Sequence, residues 1–288
     1  GESEPFVGRV IAKWPRESFY LATKLPLWSC KTLDEAKDIF EKQFERLGVD
    51  YIDFYLLHAV SDDLMDQLLS CGCIDYFDQM KAEGKIRYFG FSFHGTPDAL
   101  RKMVSLHSWD FVQIQLNYYD WLFGDAKELY EILERANIPV TVMEPVRGGR
   151  LAALSDEIDR TLAQAIPDRS VASWALRWLM RLPQVGVTLS GMSSLDQIKD
   201  NVDTFSEYQP LSDGQADLLL KMAAEFKKSI SVACTGCRYC CPDCPQGIDI
   251  PRVLEIYNQY KLGGPWQLGA LDKLPEGKRP EDCIGCGS

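Results

Sequence analysis

The sequence predicts an α/β fold in which parallel strands alternate with helices and close toward a barrel, followed by a small cysteine-rich helical tail. Three observations predict it. Short apolar runs alternate with helical periods across residues 19–202, the pattern of a parallel sheet with helical crossovers. No G-x-G-x-x-G follows the first strand, where an open doubly wound sheet usually carries its phosphate loop. Lys24, His58, Ser92, Asn117 and Glu144 all stand at or just past the carboxyl ends of predicted strands, and in a barrel of parallel strands those ends share one mouth. Each alone reads as a solvated loop residue; the repetition favours a site.

Taken in order, residues 1–14 read as a helix with Ser3 as N-cap and Val7, Val10, Ile11 and Trp14 on one face. Residues 19–24, FYLATK, are a short strand ending in a charge. Thr32-Leu-Asp-Glu35 is a capping-box pattern opening a helix whose Leu33, Ala36, Phe40, Phe44 and Leu47 recur at helical spacing. Residues 51–58, YIDFYLLH, form a nearly continuous apolar run ending in one ionisable side chain. A strand buried on both faces reads this way when its last residue emerges at a functional rim. His58 is therefore a site candidate, although a hydrogen-bonded core histidine is the plainer reading of such a residue in isolation. A helix over 63–83 is stopped by Gly84, and a strand follows over 86–92. Residues 97–106 form a helix with Pro97 in its first turn, 111–117 a strand, 125–136 a helix and 139–143 a strand leading into the loop EPVRGG at 144–149. A long helix containing Trp174, Leu176 and Trp178 precedes a strand over 185–190 and a helix over 195–202. The count is six strands, and a further helix covers 213–229.

The 288 residues, 46% of them hydrophobic, suffice for one large domain or one large and one small. A net charge of −11 with no basic run argues against a nucleic-acid surface and points to small-molecule or protein partners. No apolar stretch reaches the roughly 18 residues that span a bilayer, and no signal-peptide pattern opens the chain. The expectation is a cytoplasmic protein without membrane contact. Of the ten cysteines, Cys30, Cys71 and Cys73 are scattered and seven crowd the last fifth of the chain. Clustered thiols in a cytoplasmic chain read as metal ligands. Cys71 and Cys73, in a helical stretch with Ile74, Phe77 and Met80, read as core packing.

The segments GESE, LATK, YLLH, QLNYYD and GMSS-DQIKDN, in this order and spacing from residue 1 to about 205, resemble the aldo-keto reductases. Those are (β/α)8 TIM-type barrel enzymes that pass a hydride between a nicotinamide dinucleotide and a carbonyl. The resemblance implies that Lys24 and His58 are the Lys and His of the family's Tyr, Lys, His and Asp tetrad. It also implies that the Tyr and Asp positions, with roughly the first two strands of the barrel, fall before Gly1, so that the chain reads as a fragment with little activity alone. Chemically, an alkoxide left by hydride transfer needs a proton from an acid tuned toward neutrality, and an ammonium such as that of Lys24 lowers a phenol's pKa. His58 would hydrogen-bond the carbonyl oxygen and orient it. The family places Ser92, Gln115 and Asn117 near the nicotinamide carboxamide and the substrate. Gly191, Ser193, Gln197 and Asn201 fall in its phosphate- and adenine-binding segment, where helix-start N–H groups suit an anion; plain N-capping explains Ser193 and Ser194 equally well. Phe93 stands where many relatives have Asn, and Met143 replaces an aromatic that stacks on the nicotinamide. No basic residue for a 2′-phosphate is evident, so NADP and NAD both remain open.

In the tail, Cys234, Cys237, Cys240 and Cys244 form a C-x2-C-x2-C-x3-C-P run, the ferredoxin pattern that holds a [4Fe–4S] cluster. Zinc is the alternative, but zinc sites usually pair two C-x2-C knuckles. Cys241 is one thiol more than the pattern needs. Cys283 and Cys286 begin a second run two residues before the end, so the sequence also reads as cut at its carboxyl end. The arrangement resembles the aldo-keto reductases with a C-terminal ferredoxin-like domain, and Ser92-Phe-His94 and the EPVRGG loop fit that branch. The expected organisation is a partial barrel over 1–205 and a helical linker with a ferredoxin-like domain over 206–288. Hydride carries two electrons whereas a cluster takes one, and no flavin motif bridges them. The clusters therefore either relay electrons to a redox partner protein or dock the tail. A reading from another class is an electron-transfer or interaction module whose barrel has lost reductase chemistry. On the main reading the substrate is a small carbonyl or alcohol.

Overall fold

Six parallel strands make one sheet whose spatial order is their order in the chain: β1 (Ala22–Pro26), β2 (Ile52–Val60), β3 (Ile86–Phe93), β4 (Phe111–Gln115), β5 (Val140–Met143) and β6 (Val185–Thr188). Sequential order with helical crossovers is how a barrel sheet is laid down. The protein is described by a computed structural model over residues 2–232, 234 and 236–287. Gly1, where the first expected helix and the family-like GESE segment begin, lies outside the described residues. Among the described residues β1 and β6 each have one sheet neighbour.

The chain divides into two compact units, the first made of residues 1–116, 120–143 and 182–189 and containing the whole sheet. Its first helix, α1 (Ser3–Ile11), lies within the expected 1–14 and takes Ser3 into its first turn: Glu2 occupies the cap position without a side-chain bond, so Ser3 is not the N-cap. The buried residue of α1 is Gly8, where an added Cβ would lie 2.4 Å from the Arg46 carbonyl oxygen, while Val10 and Trp14 of the expected apolar face are exposed. α2 (Leu33–Leu47) starts at the predicted capping box, with the Thr32 hydroxyl accepting from the Glu35 N–H and Glu35 accepting from the Thr32 N–H, and ends at left-handed Gly48. The helix expected over 63–83 is broken into α3 (Met65–Cys71) and α4 (Cys73–Ala82) by Gly72, whose φ of 71° is left-handed. Cys71 and Cys73 are both buried, as core residues should be, and the reversal at Gly72 joins them in a disulfide that a spacing of two did not suggest. α5 (Pro97–Leu106), the short α6 (Tyr118–Phe123) and α7 (Ala126–Arg135) follow.

The core of this unit lies between the outer face of the sheet and its helices. Phe40 packs edge-on to Tyr55 at 5.0 Å, and Tyr55 and Phe89 both meet Phe77, at 4.7 and 5.6 Å. At the amino end of β2, Asp53 is completely buried. It accepts from Arg16 at 2.6 Å, from Arg87 at 2.9 Å and from the Leu21 N–H at 2.9 Å, while both guanidinium groups lie over the Tyr51 ring. The expected strand over 19–24 is shortened at its start: the Leu21 N–H goes to the Asp53 carboxylate, its carbonyl accepts the Asp53 and Phe54 N–H groups, and the Phe19 carbonyl accepts from Arg16.

The second unit comprises residues 117–119, 144–181 and 190–288. The single long helix expected around Trp174 is two, α8 (Asp156–Ala165) and α9 (Val171–Leu179), separated by Pro167 and left-handed Asp168. α10 (Leu195–Ser206), α11 (Asp213–Ile230), α12 (Cys240–Asp243) and α13 (Ile250–Gly263) complete it. Serine hydroxyls at 155, 170, 194 and 212 cap α8 to α11. Buried Arg177 donates to the Gln209 carbonyl and side-chain oxygens at 2.9 Å, fixing the segment between α10 and α11. No described helix is long and apolar enough to cross a membrane.

Candidate active site

Register places the two main candidates together. Lys24 pairs with Leu56 and Pro26 with His58, so the Lys24 side chain leaves the sheet on the face shared by Leu56 and, two residues on, His58. Lys24 is mid-strand rather than terminal, and burial lowers its pKa. His58 is pushed down to about 4, by burial first and then by the charges of Lys24 and His94, so its imidazole is neutral across the physiological range. His94 is itself lowered by burial and by Lys24. The Trp28 ring tilts against His58 with centroids 4.8 Å apart while remaining 55% exposed, which leaves it at the rim. Gln67 of α3 holds the Trp28 loop by donating to the Leu27 and Cys30 carbonyls.

The other candidates in the sheet unit are already engaged. Ser92 is completely buried, and its Oγ accepts the Ala59 N–H at 2.8 Å. Gln115 donates to Asp120 at 2.7 Å. Phe93 points into the core at 1% exposure, and Met143 takes the Gln113 amide N–H on sulfur at 3.2 Å. Sequence reasoning gave no role to Trp28, Ala59 or His94. Trp28 follows Lys24 by four residues and His94 follows Ser92 by two, so proximity in sequence was an available signal for both. Nothing in the sequence marks Ala59.

In the second unit, Asn117 is fully buried, donates to the Glu144 carbonyl at 3.0 Å and accepts the Tyr119 N–H at 3.1 Å. Glu144, at φ 56°, opens the EPVRGG turn and its carboxylate accepts the Gly148 N–H. At the start of α10, Gln197 accepts from the Ser193 N–H at 2.8 Å and hydroxyl at 3.2 Å, Ser194 caps the helix, and Asn201 donates to Ser190 at 2.9 Å. Added bulk at Gly191 would meet nothing within 4 Å. The segment is thus preordered by its own polar side chains, with exposed backbone at a helix start.

The tail cysteines Cys234, Cys237, Cys240, Cys241, Cys244, Cys283 and Cys286 are exposed or half-buried and none is in a disulfide. Peptide N–H groups approach sulfur at Cys234, from Gly236 at 3.5 Å, and at Cys244, from Ile248 at 3.4 Å. Soft donors supported by N–H groups suit iron–sulfur ligation. Among the described residues, however, no three His, Cys, Asp or Glu side chains converge on one point.

A parallel sheet in sequential order with lysine and histidine on one face near the carboxyl ends of neighbouring strands defines a site of the barrel-enzyme class. The Aldo/keto reductase family profile matches residues 1–223, and the chain belongs to that family of oxidoreductases. It is similar to the uncharacterized oxidoreductase YqkF of Bacillus subtilis, 26% identical over 188 residues that span 58% of each protein. It is also similar to the NADH-specific methylglyoxal reductase of Escherichia coli, 22% identical over 79% of this chain and 81% of that one. The solved aldo-keto reductase AKR11C1 from Bacillus halodurans in its holo form superposes with a TM-score of 0.63 at 26% identity, over 76% of this chain and 77% of the other. The family implies NAD(P)H as cofactor and carbonyls as substrates.

Proposed function

We propose that the chain is an NAD(P)H-dependent reductase acting on small carbonyls or the corresponding alcohols, in which Lys24 and His58 orient the carbonyl. The single observation that carries this reading is the placing of Lys24 and a neutral His58 on one face of adjacent strands. A nicotinamide, when bound, supplies a hydride to the carbonyl carbon. His58, neutral, keeps one ring N–H to donate to the carbonyl oxygen and stabilise the negative charge that develops there. Lys24 places an ammonium where it favours an anionic neighbour, which is how it would tune a phenol acid. Within the sheet unit Ser92 holds the backbone beside His58 by accepting the Ala59 N–H; in the other unit residues 191–201 present a preordered helix start suited to phosphate. The name of the Escherichia coli relative gives NADH and methylglyoxal as the first cofactor and substrate to try.

The test is oxidation of NADH and NADPH with a panel of aldehydes including methylglyoxal. His58→Ala and Lys24→Met should each lower kcat/KM by about a hundredfold or more. Turnover indifferent to both substitutions would refute the assignment.

We further read residues 206–288 as an appended ferredoxin-like domain in which Cys234, Cys237, Cys240 and Cys244, with Cys283 and Cys286, hold one or two [4Fe–4S] clusters for electron relay to a redox partner or for structure. The spacing of the first run and the N–H groups beside Cys234 and Cys244 support it.

A further inference from the structure

The β2–β3 ladder is regular from Ile52 to Leu57, breaks, and resumes at Val60. Leu57 pairs with Phe91 and Val60 with Phe93, so β2 spends three residue steps where β3 spends two. His58 and Ala59 therefore stand opposite the single residue Ser92, which defines a β-bulge at the carboxyl end of β2. A bulge bends its strand and re-aims the side chain beside it. Here that side chain is His58. Ala59 takes the strain of the extra residue, with a φ of 59° that a Cβ disfavours. Its N–H has left the ladder, and a donor in this environment must find another acceptor. The acceptor is the completely buried Ser92 Oγ at 2.8 Å, and just beyond it the His94 N–H returns to the Val60 carbonyl at 2.8 Å.

We propose that Ser92 is the positioning residue of His58: by accepting the Ala59 N–H its hydroxyl oxygen fixes the left-handed bulge that aims the imidazole. The consequence for turnover rests on the role given to His58 above, whereas the consequence for His58 geometry does not. The proposal also separates two roles for one side chain. A serine acting only on the nicotinamide would govern cofactor binding, whereas a serine acting through Ala59 governs the direction of His58 and hence the chemical step.

The experiment follows the ring and the amide directly by NMR. The chain has three histidines, so His94→Gln and His107→Gln assign the His58 ring resonances. In Ser92→Ala the His58 ring resonances should move, Ser92→Thr should restore them, and in the unsubstituted chain the Ala59 amide should exchange slowly with solvent. In a protein that turns over, Ser92→Ala should lower kcat by about tenfold while the KM for the nicotinamide changes by less than about twofold. Unmoved His58 resonances in Ser92→Ala, or rapid exchange of the Ala59 amide in the unsubstituted chain, would overturn the proposal. If Ser92→Ala does not fold, adding Ala59→Gly, which takes a left-handed φ without penalty, should rescue folding, and failure of that rescue together with fast Ala59 exchange rejects the proposal. Absence of turnover with the spectral result intact would count against the reductase reading alone.

Discussion

His58 shows how a charge state is set by surroundings rather than by residue type. Its ordinary pKa of 6.5 in the unfolded chain falls to about 4 in the folded one. Between those values the unfolded chain binds more protons, so the contribution of His58 to stability is present above about pH 6.5 and lost as the pH falls toward 4. Acidification over that window should lower the melting temperature more in the native sequence than in His58→Gln, as read by circular dichroism. An equal decline in both would contradict the burial argument. Lys24 and His58 stood out as candidates in the sequence because each closes an apolar run with an ionisable side chain. Trp28 and His94 were marked only by their nearness in sequence to Lys24 and Ser92, because each reaches His58 from a different segment whose path is fixed by contacts such as Gln67 with the Leu27 carbonyl.

At the level of elements, Asp53 of β2 ties the residue before β1 to Arg87 of β3. Asp53→Ala would leave the Leu21 N–H without its acceptor and the Arg16 charge with only the Phe19 and Tyr51 carbonyls. The expected loss is about 3 kcal/mol of folding stability, the lower end for breaking a buried ion pair because Arg87 is half exposed. Urea unfolding measures it, and a loss under about 1 kcal/mol would show that water replaces the carboxylate. Helix boundaries were legible where local chemistry sets them, as at the Thr32 capping box and at Pro97. They were misread where one glycine or proline divides a periodic stretch, since Gly72 and Pro167 leave the apolar period on either side undisturbed.

Over the whole molecule, the cysteines sort by burial. Cys30, at 1% exposure, and the Cys71–Cys73 disulfide should resist alkylation in the native chain, whereas the seven tail thiols should react. After iron and sulfide reconstitution, Cys234, Cys237, Cys240, Cys244, Cys283 and Cys286 should become protected and Cys241 should not, as read by mass spectrometry. Protection with zinc alone would remove the iron–sulfur reading, and protection with neither would remove the metal reading.

By itself the sequence determined the alternating parallel architecture, the family-like motifs, the lysine and histidine and the cysteine spacing, because periodicity, capping and metal-ligand intervals are local properties of a chain. The tertiary structure alone decided that His58 is neutral, that Trp28 covers it, that Ser92 faces a bulge and that Asp53 anchors three strands. Each of these depends on which strand lies beside which and in what register, and register is fixed by the packing of the whole sheet rather than by any one segment.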